Sequence, residues 1–365
     1  MALSLEVKKF INSEHVGKFV EILLPIEVLP EPQKKKKAKP RPEPEQDDEP
    51  EIQAQEAAEP ALPPEEELPQ AQQEEAPAEE ASELAFEVED EEEAPAPQFE
   101  KARIHYVEAG DGEPLILVHS IGQSIYTWRH LFAALSQNYR TILVDLPGHG
   151  FSSRPAYYNY TIQEQAHSLA LFMDAVGIES AHFLTFSMGG AYVLDFAAAH
   201  PERLGRVICI SPGGMSHEMP LAVKMLDSSL LGGIASLLYG VRTVEGVLRS
   251  CFFDQTVGIN EDIVEEYYKT IADSEARRAL RMSFHNFADE ELASKLRSLE
   301  MPVLILQGAE DKWRTSAQIE LYHAAIPNAG CAMIRNAGHL LHEEKPDRVL
   351  AAVMEFIPAL CPEVE

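Results

Sequence analysis

Thr185-Phe186-Ser187-Met188-Gly189-Gly190 is the stretch on which the reading of this chain turns. The run His182–Phe186 leads into it with the texture of a strand, and Gly189–Ala199 leads out with the texture of a helix. A serine at so sharp a strand-to-helix turn has its hydroxyl held clear of the sheet. The helix N-terminus and the next backbone N–H then face any oxyanion formed there. Such a turn crowds its neighbours, so small flanking residues are needed. Gly189 meets that need, but two positions before Ser187 stands Thr185, a tighter fit than glycine. By itself the hexapeptide is weak evidence, because an ordinary serine at a βα turn reads much the same.

Its surroundings strengthen it. Strand-like runs occur at Ala102–Glu108, Leu115–His119, Thr141–Asp145, Val207–Ile210 and Val303–Leu306, with helical periodicity over Ile162–Val176. Short apolar runs alternating with helices predict an α/β fold with a doubly wound, mostly parallel sheet. Sites in such sheets gather at the carboxyl ends of the strands. Between Ser211 and Met301 the strand signals vanish, and a helical cap is expected at about 213–298. The Met and Leu residues of Met215–Leu238 read as a greasy lid or as the cap's own core.

A serine hydroxyl needs a base to take its proton. His339, in Asn336-Ala337-Gly338-His339-Leu340-Leu341-His342, is the candidate, with Gly338 freeing the backbone to turn. Asp311, at the end of Gln307-Gly308-Ala309-Glu310-Asp311, is the candidate acid that orients it, with Glu310 as a minor competitor. The order Ser187, Asp311, His339 then resembles the α/β-hydrolase fold superfamily, over roughly Phe99 to the C-terminus. His119-Ser120-Ile121-Gly122 is similar to the HGxG turn of that family, and Asp145 to Ser152 (DLPGHGFS) to its DxxGxGxS stretch. Gly338-His339 with His342, Glu344 and Pro346 completes the likeness. The resemblance implies oxyanion donors at the N–H groups of Ile121 and Met188. Thr185 and Ser120 depart from family glycines, and the loop after Asp311 (KWRTS) lacks a frequent proline. The serine nucleophile sets the chain apart from the aspartate-nucleophile branches, the epoxide hydrolases and haloalkane dehalogenases.

Trp128, Trp313 and Phe186 are read as substrate-binding residues. His119 is expected to brace the oxyanion turn, His149 to be structural and His342 to orient the base loop. His217, His285 and Asn286 lie in the cap, where a surface role outranks substrate contact.

The formal net charge of −30 is uneven. Residues 1–100 hold 9 Lys/Arg and 28 Asp/Glu, a net of −19. From Pro42 to Glu100 there are 23 Asp/Glu and 10 Pro but no Lys, Arg or Gly. Self-repulsion and stiff prolines predict a disordered charged linker over 31–97. Residues 1–30 form a short N-terminal segment, with a helix expected over Ser13–Leu24 because Val16, Val20, Leu23 and Leu24 share a helical face. Residues 1–41, including Lys34–Lys37, are a candidate protein-partner segment, ranked below simple packing or a solvated charge run. The hydrolase domain is placed at 98–365, and a chain beginning near Pro97 is expected to fold and keep activity. The negative field argues against nucleic-acid partners, and no membrane span is expected. Cys209, Cys251, Cys331 and Cys361 lack metal-ligand spacing and fit a reducing cytoplasm. No metal or organic cofactor is called for.

The first functional expectation is a serine hydrolase acting on an ester of a small or medium apolar acyl group, through an acyl-enzyme. The same triad serves a C–C bond hydrolase, an aminopeptidase or an acyltransferase, and fold does not choose among them. Arg277, Arg278, Arg281 and Asn286 would favour a dienoate substrate if they faced the site. A third expectation is a non-catalytic scaffold or interaction protein, against which the intact triad argues.

Overall fold

The computed structural model describes residues 17–26, 98–215, 240–256, 259–287 and 291–358. Ser13, the Lys34–Lys37 cluster, the acidic stretch, His217 and nearly all of Met215–Leu238 lie outside them.

Eight strands form one sheet: β1 (Lys18–Ile26), β2 (Gln98–Ala109), β3 (Pro114–Val118), β4 (Arg140–Val144), β5 (Ala181–Phe186), β6 (Leu204–Ile210), β7 (Val303–Gly308) and β8 (Ala329–Ile334). Their order is β1-β2-β4-β3-β5-β6-β7-β8. β1 and β2 pair antiparallel, as do β2 and β4, and all later pairs are parallel. The protein is thus an α/β hydrolase fold with a mostly parallel sheet. Leu115, Ile116, Leu117 and Val118 are fully buried, as the uninterrupted apolar runs of a sheet covered on both faces require. Burial of each such side chain is worth about 1.5–3 kcal/mol.

Strand order decides where a site can form. From β3 the chain steps to β4 on one side, then returns to place β5 on the other. The crevice beyond the carboxyl ends of β3 and β5 is therefore the switch point of the sheet. His119–Gly122 leaves β3 there, and Ser187 comes directly after β5.

The helix expected over Ser13–Leu24 is corrected: Lys18–Ile26 is a strand. Ile22 and Leu24 are buried on the core face beside Val20, whereas Leu23 is 51% exposed. Val20, Ile22 and Leu24 satisfy a period of two, with Leu23 turned out, and the antiparallel edge of β2 supplies the partner that decides it. β1 runs along β2 from Lys18↔Tyr106 to Ile26↔Gln98. The segment at 27–97 therefore connects two neighbouring strands of one sheet, where the sequence suggests a linker leading into a separate domain.

Between β6 and β7 the described residues form helices at Val241–Cys251, Glu261–Lys269, Ser274–His285 and Leu292–Lys295. Asn260 and Asp273 cap two of them by accepting from Ile263 N and Ala276 N. Val244, Leu248, Val264, Tyr267 and Leu280 are turned inward.

Candidate active site

Ser187 stands between β5 and the helix Met188–Ala199 with φ 48° and ψ −115°. A non-glycine residue at positive φ is strained, at a cost on the order of 1–3 kcal/mol, and persists only where its surroundings fix it. Here Ser187 N donates to Ile210 O at 2.8 Å, and Gly190 N and Gly213 N donate to Ser187 O at 2.9 and 3.1 Å. The need for Gly189 is steric, since a Cβ there would lie 2.5 Å from Val118 O. Thr185 fits because its hydroxyl donates to Ile208 O at 3.2 Å and because Gly190, which faces it, has no side chain. A Cβ on Gly190 would sit 3.3 Å from Thr185 Oγ1. The glycine that seems missing at 185 is offset at 190.

Met188 N donates to Ser120 Oγ at 3.3 Å. The hydroxyl of Ser120, which in sequence looks like a lost glycine, thus lies where an oxyanion held by that N–H would approach. Ile121, Gly122 and Gln123 continue the turn along the same cavity. Behind it, His119 Nε2 accepts from Leu146 N at 3.1 Å, which leaves Nδ1 to carry the proton and donate to Ser120 O at 2.8 Å. Burial lowers the pKa of His119, so the ring that braces the turn is neutral. Buried His149 is pushed down to about 3, chiefly by desolvation, and its Nδ1 lies 3.0 Å from Pro147 O.

Asp311 Oδ2 lies 2.8 Å from His339 Nδ1. Its other oxygen accepts from Trp313 N at 2.7 Å and Arg314 N at 2.9 Å. Burial alone would raise this carboxyl, but His339 and the two amides outweigh it and hold its pKa below the ordinary value. Glu310 does not compete for the histidine; its carboxylate accepts from Ala337 N at 3.0 Å.

The base loop is held from several directions. Glu344 accepts from Gly338 N at 2.7 Å, and from the cap amides Asp254 N at 2.7 Å and Phe253 N at 3.3 Å. Leu340 N donates to Cys251 O at 3.2 Å. A Cβ on Gly338 would strike Cys251 O at 2.5 Å, so glycine is what lets cap and loop meet. Buried Glu343 accepts from Arg129 Nη2 at 2.5 Å, from Thr127 Oγ1 at 2.8 Å and from the cap's Tyr267 hydroxyl. Having given its proton to Glu343, the Thr127 hydroxyl accepts from His342 Nε2 at 2.6 Å. Burial lowers the His342 pKa to about 3.

Ser187, Met188, Ile121, His339, Phe186 and Trp313 all line one cavity of about 110 Å³. Phe186 lies between His339 and His342, with ring centroids 4.9 and 4.6 Å away. Trp313 stacks on His339 at 5.7 Å and 15°. Trp128 is corrected: it is fully buried and packs on His342 at 4.7 Å, behind the wall. Arg277 donates to Ile271 O and Ala272 O, Arg278 to Ala156 O and Pro155 O, and Asn286 to Asn159 O at 2.7 Å. None of these, nor Arg281 or exposed His285, is among the described lining residues. The sequence does not single out several other lining residues, among them Gln123 and Arg314, and the cap's Val247, Leu248, Leu280 and Phe284. Helical apolar spacing in the cap is the available signal for the last four.

A family model described as alpha/beta hydrolase fold matches residues 113–346, well over half of the chain. The chain belongs to the α/β hydrolase fold family. Within that family it is 28% identical, over 70% of its length and 91% of the relative's, to a 2-hydroxy-6-oxo-6-phenylhexa-2,4-dienoate hydrolase of Comamonas testosteroni. A carboxylesterase of Bacillus subtilis is 25% identical, over 70% of this chain and 84% of that one. Among solved structures, a meta-cleavage product hydrolase from Pseudomonas fluorescens IP01 aligns with a TM-score of 0.61 and 24% identity, covering 70% of this chain and 94% of that one. Among the described residues no helix of this α/β hydrolase is long and apolar enough to cross a membrane.

Proposed function

We propose that the protein is a serine hydrolase that cleaves an ester of a short apolar acyl group. The observation that carries this reading is the opening of Ser187, at its strained turn, and the Asp311-bound His339 onto one largely apolar cavity. His339 takes the Ser187 proton as Oγ attacks the ester carbonyl, and Asp311 steadies the imidazolium. The N–H groups of Ile121 and Met188 hold the oxyanion, with the Ser120 hydroxyl turning to join them. His339 then protonates the departing alcohol, and water, activated by the same ring, releases the acid. A dry cavity of roughly 150 Å³ holds a benzene-sized guest, so about 110 Å³ suits a short acyl chain. The free thiols of Cys209, Cys251 and Cys331 support a reducing, cytoplasmic setting.

The likeness to the dienoate hydrolase supports a second reading, hydrolysis of a C–C bond. Arg314, which lines the cavity, is the residue that favours it. The backbone contacts made by Arg277, Arg278 and Asn286 weigh against it.

The test is turnover of 4-nitrophenyl acetate, butyrate and octanoate beside a ring-cleavage dienoate. Esters should be cleaved, butyrate or acetate best, and Ser187→Ala should cost about 10⁶ in kcat. Decay of the dienoate with no ester turnover would move the C–C reading ahead.

A further inference from the structure

Trp313 lines both the catalytic cavity and a neighbouring groove formed with Arg249, Ser250, Phe252, Gln255 and Lys312. The groove lies between the C-terminal end of the cap helix Val241–Cys251 and the loop that bears Asp311. That helix divides its residues accordingly: Val244, Val247, Leu248 and Cys251 line the cavity, while Arg249 and Ser250 line the groove. The indole N–H of Trp313 donates to Ser250 Oγ at 3.1 Å, which ties the loop to the helix where cavity and groove adjoin.

The chemistry of the two sides is opposite. The cavity is mostly apolar. Among the described residues the groove has two cationic side chains, a hydroxyl and an amide, and no carboxylate in its lining. Arg249 is paired with Glu245 at 2.9 Å. Lys312 is exposed at the rim and has no carboxylate partner among the described residues. In a chain of net charge −30, a small anion nearing the site meets a repulsive field except where cations cluster.

We propose that this groove holds the anionic end of the leaving group, so that the substrate is an ester whose acyl part fills the cavity and whose alcohol carries a carboxylate or phosphate. This rests on the serine-hydrolase reading and names its substrate class. Ser187 Oγ forms the new acyl bond, the ester C–O bond breaks, and the alcohol leaves with the proton from His339. Its charged end stays paired with Lys312, beside the Glu245-bound Arg249, until release.

Three butyrate esters test it: 4-nitrophenyl butyrate, which is neutral, 4-(butyryloxy)benzoate and 4-(butyryloxy)phenyl phosphate. The readout is the ratio of kcat/KM for each anionic ester to that for the neutral one. Lys312→Ala should lower the ratio by up to about fivefold, the ceiling for one exposed ion pair. Lys312→Glu should lower it further, and 0.5 M salt should compress the difference. The larger drop, with carboxylate or with phosphate, tells which anion the groove prefers. A ratio unmoved by both variants overturns the proposal.

A binding measurement separates this from failure of the underlying reading. The chain has two tryptophans, and Trp128 is fully buried, so a ligand-dependent change in indole emission reports Trp313. Titrating Ser187→Ala with phenyl phosphate or benzoate should give a saturable change that weakens with Lys312→Ala added. That result supports the groove even if no ester is turned over. Absence of a saturable change for both anions overturns the groove even if neutral esters are cleaved.

Discussion

The turn that bears Ser187 and the loop that bears His339 solve the same problem by different means. Ser187 is set mainly by backbone: an unusual φ, glycines at 189 and 190, the carbonyl of Ile210 at the end of the next strand, and the amides of Gly190 and Gly213. His339 is set from afar. Its acid lies 28 residues upstream, and its supporting carboxylates reach residues 76 to 216 positions away in the chain. On the proposed reading, a nucleophile so placed is nearly independent of the cap helices, whereas a base tied by carboxylate bridges to Phe253, Asp254 and Tyr267 moves when the cap moves.

The largest expected effect breaks the distant side. Asp311→Asn leaves the shape but disturbs the His339 tautomer, and kcat should fall by about 10⁴, as read by ester turnover. A fall of less than tenfold would mean that the loop alone orients the ring. Next comes Glu344→Gln, which replaces one acceptor oxygen with a donor against three amides. Hydrogen bonds to a charged group are worth about 1.5–3 kcal/mol, so kcat should drop roughly 10- to 100-fold with KM changed less. An unchanged kcat would show that the base loop stands without its bridge to the cap.

On the near side, Gly190→Ala forces a methyl against Thr185 and Pro212 and should destabilise by about 1–3 kcal/mol. Adding Thr185→Gly should restore part of that, and a double-mutant cycle in urea should give a coupling of at least about 0.5 kcal/mol. Strict additivity would break the link drawn between 185 and 190. The smallest effect on turnover belongs to a chain that starts at Pro97. Neither catalytic loop depends on β1, so kcat per folded molecule should hold. Stability should drop, because Ile22 and Leu24 are lost, at about 1.5–3 kcal/mol each, and the β2 edge is bared. Equal urea midpoints for the two chains would count against β1 as part of the fold.

The same contrast explains what could be read from the sequence. The elbow, the parallel strands and the motifs around Asp311 and His339 are local signals, each within a few residues, and their order along the chain is read directly. Glu344 is visible as part of a motif, but its work on Gly338 and the cap depends on packing that no spacing encodes. Trp128 reads in sequence as a residue of the cavity wall, although a large aromatic after a strand end is as often packing; burial against His342 places it a layer behind. Lys18–Ile26 fits a helical and an alternating pattern alike, and only the partner strand distinguishes them. The Ser120 hydroxyl is legible solely as a departure from glycine, and its contact with Met188 N gives that departure a purpose.

The register Ile26↔Gln98 has a further consequence. The 71 residues at 27–97, which include the most acidic part of the chain, run from Ile26 to Gln98, which are partners in the sheet. The segment is therefore held at both ends by neighbouring strands of the hydrolase that carries it. A single cleavage within it would leave β1 on the sheet as a separate peptide, and the hydrolase would lose a covalent link before it lost a strand.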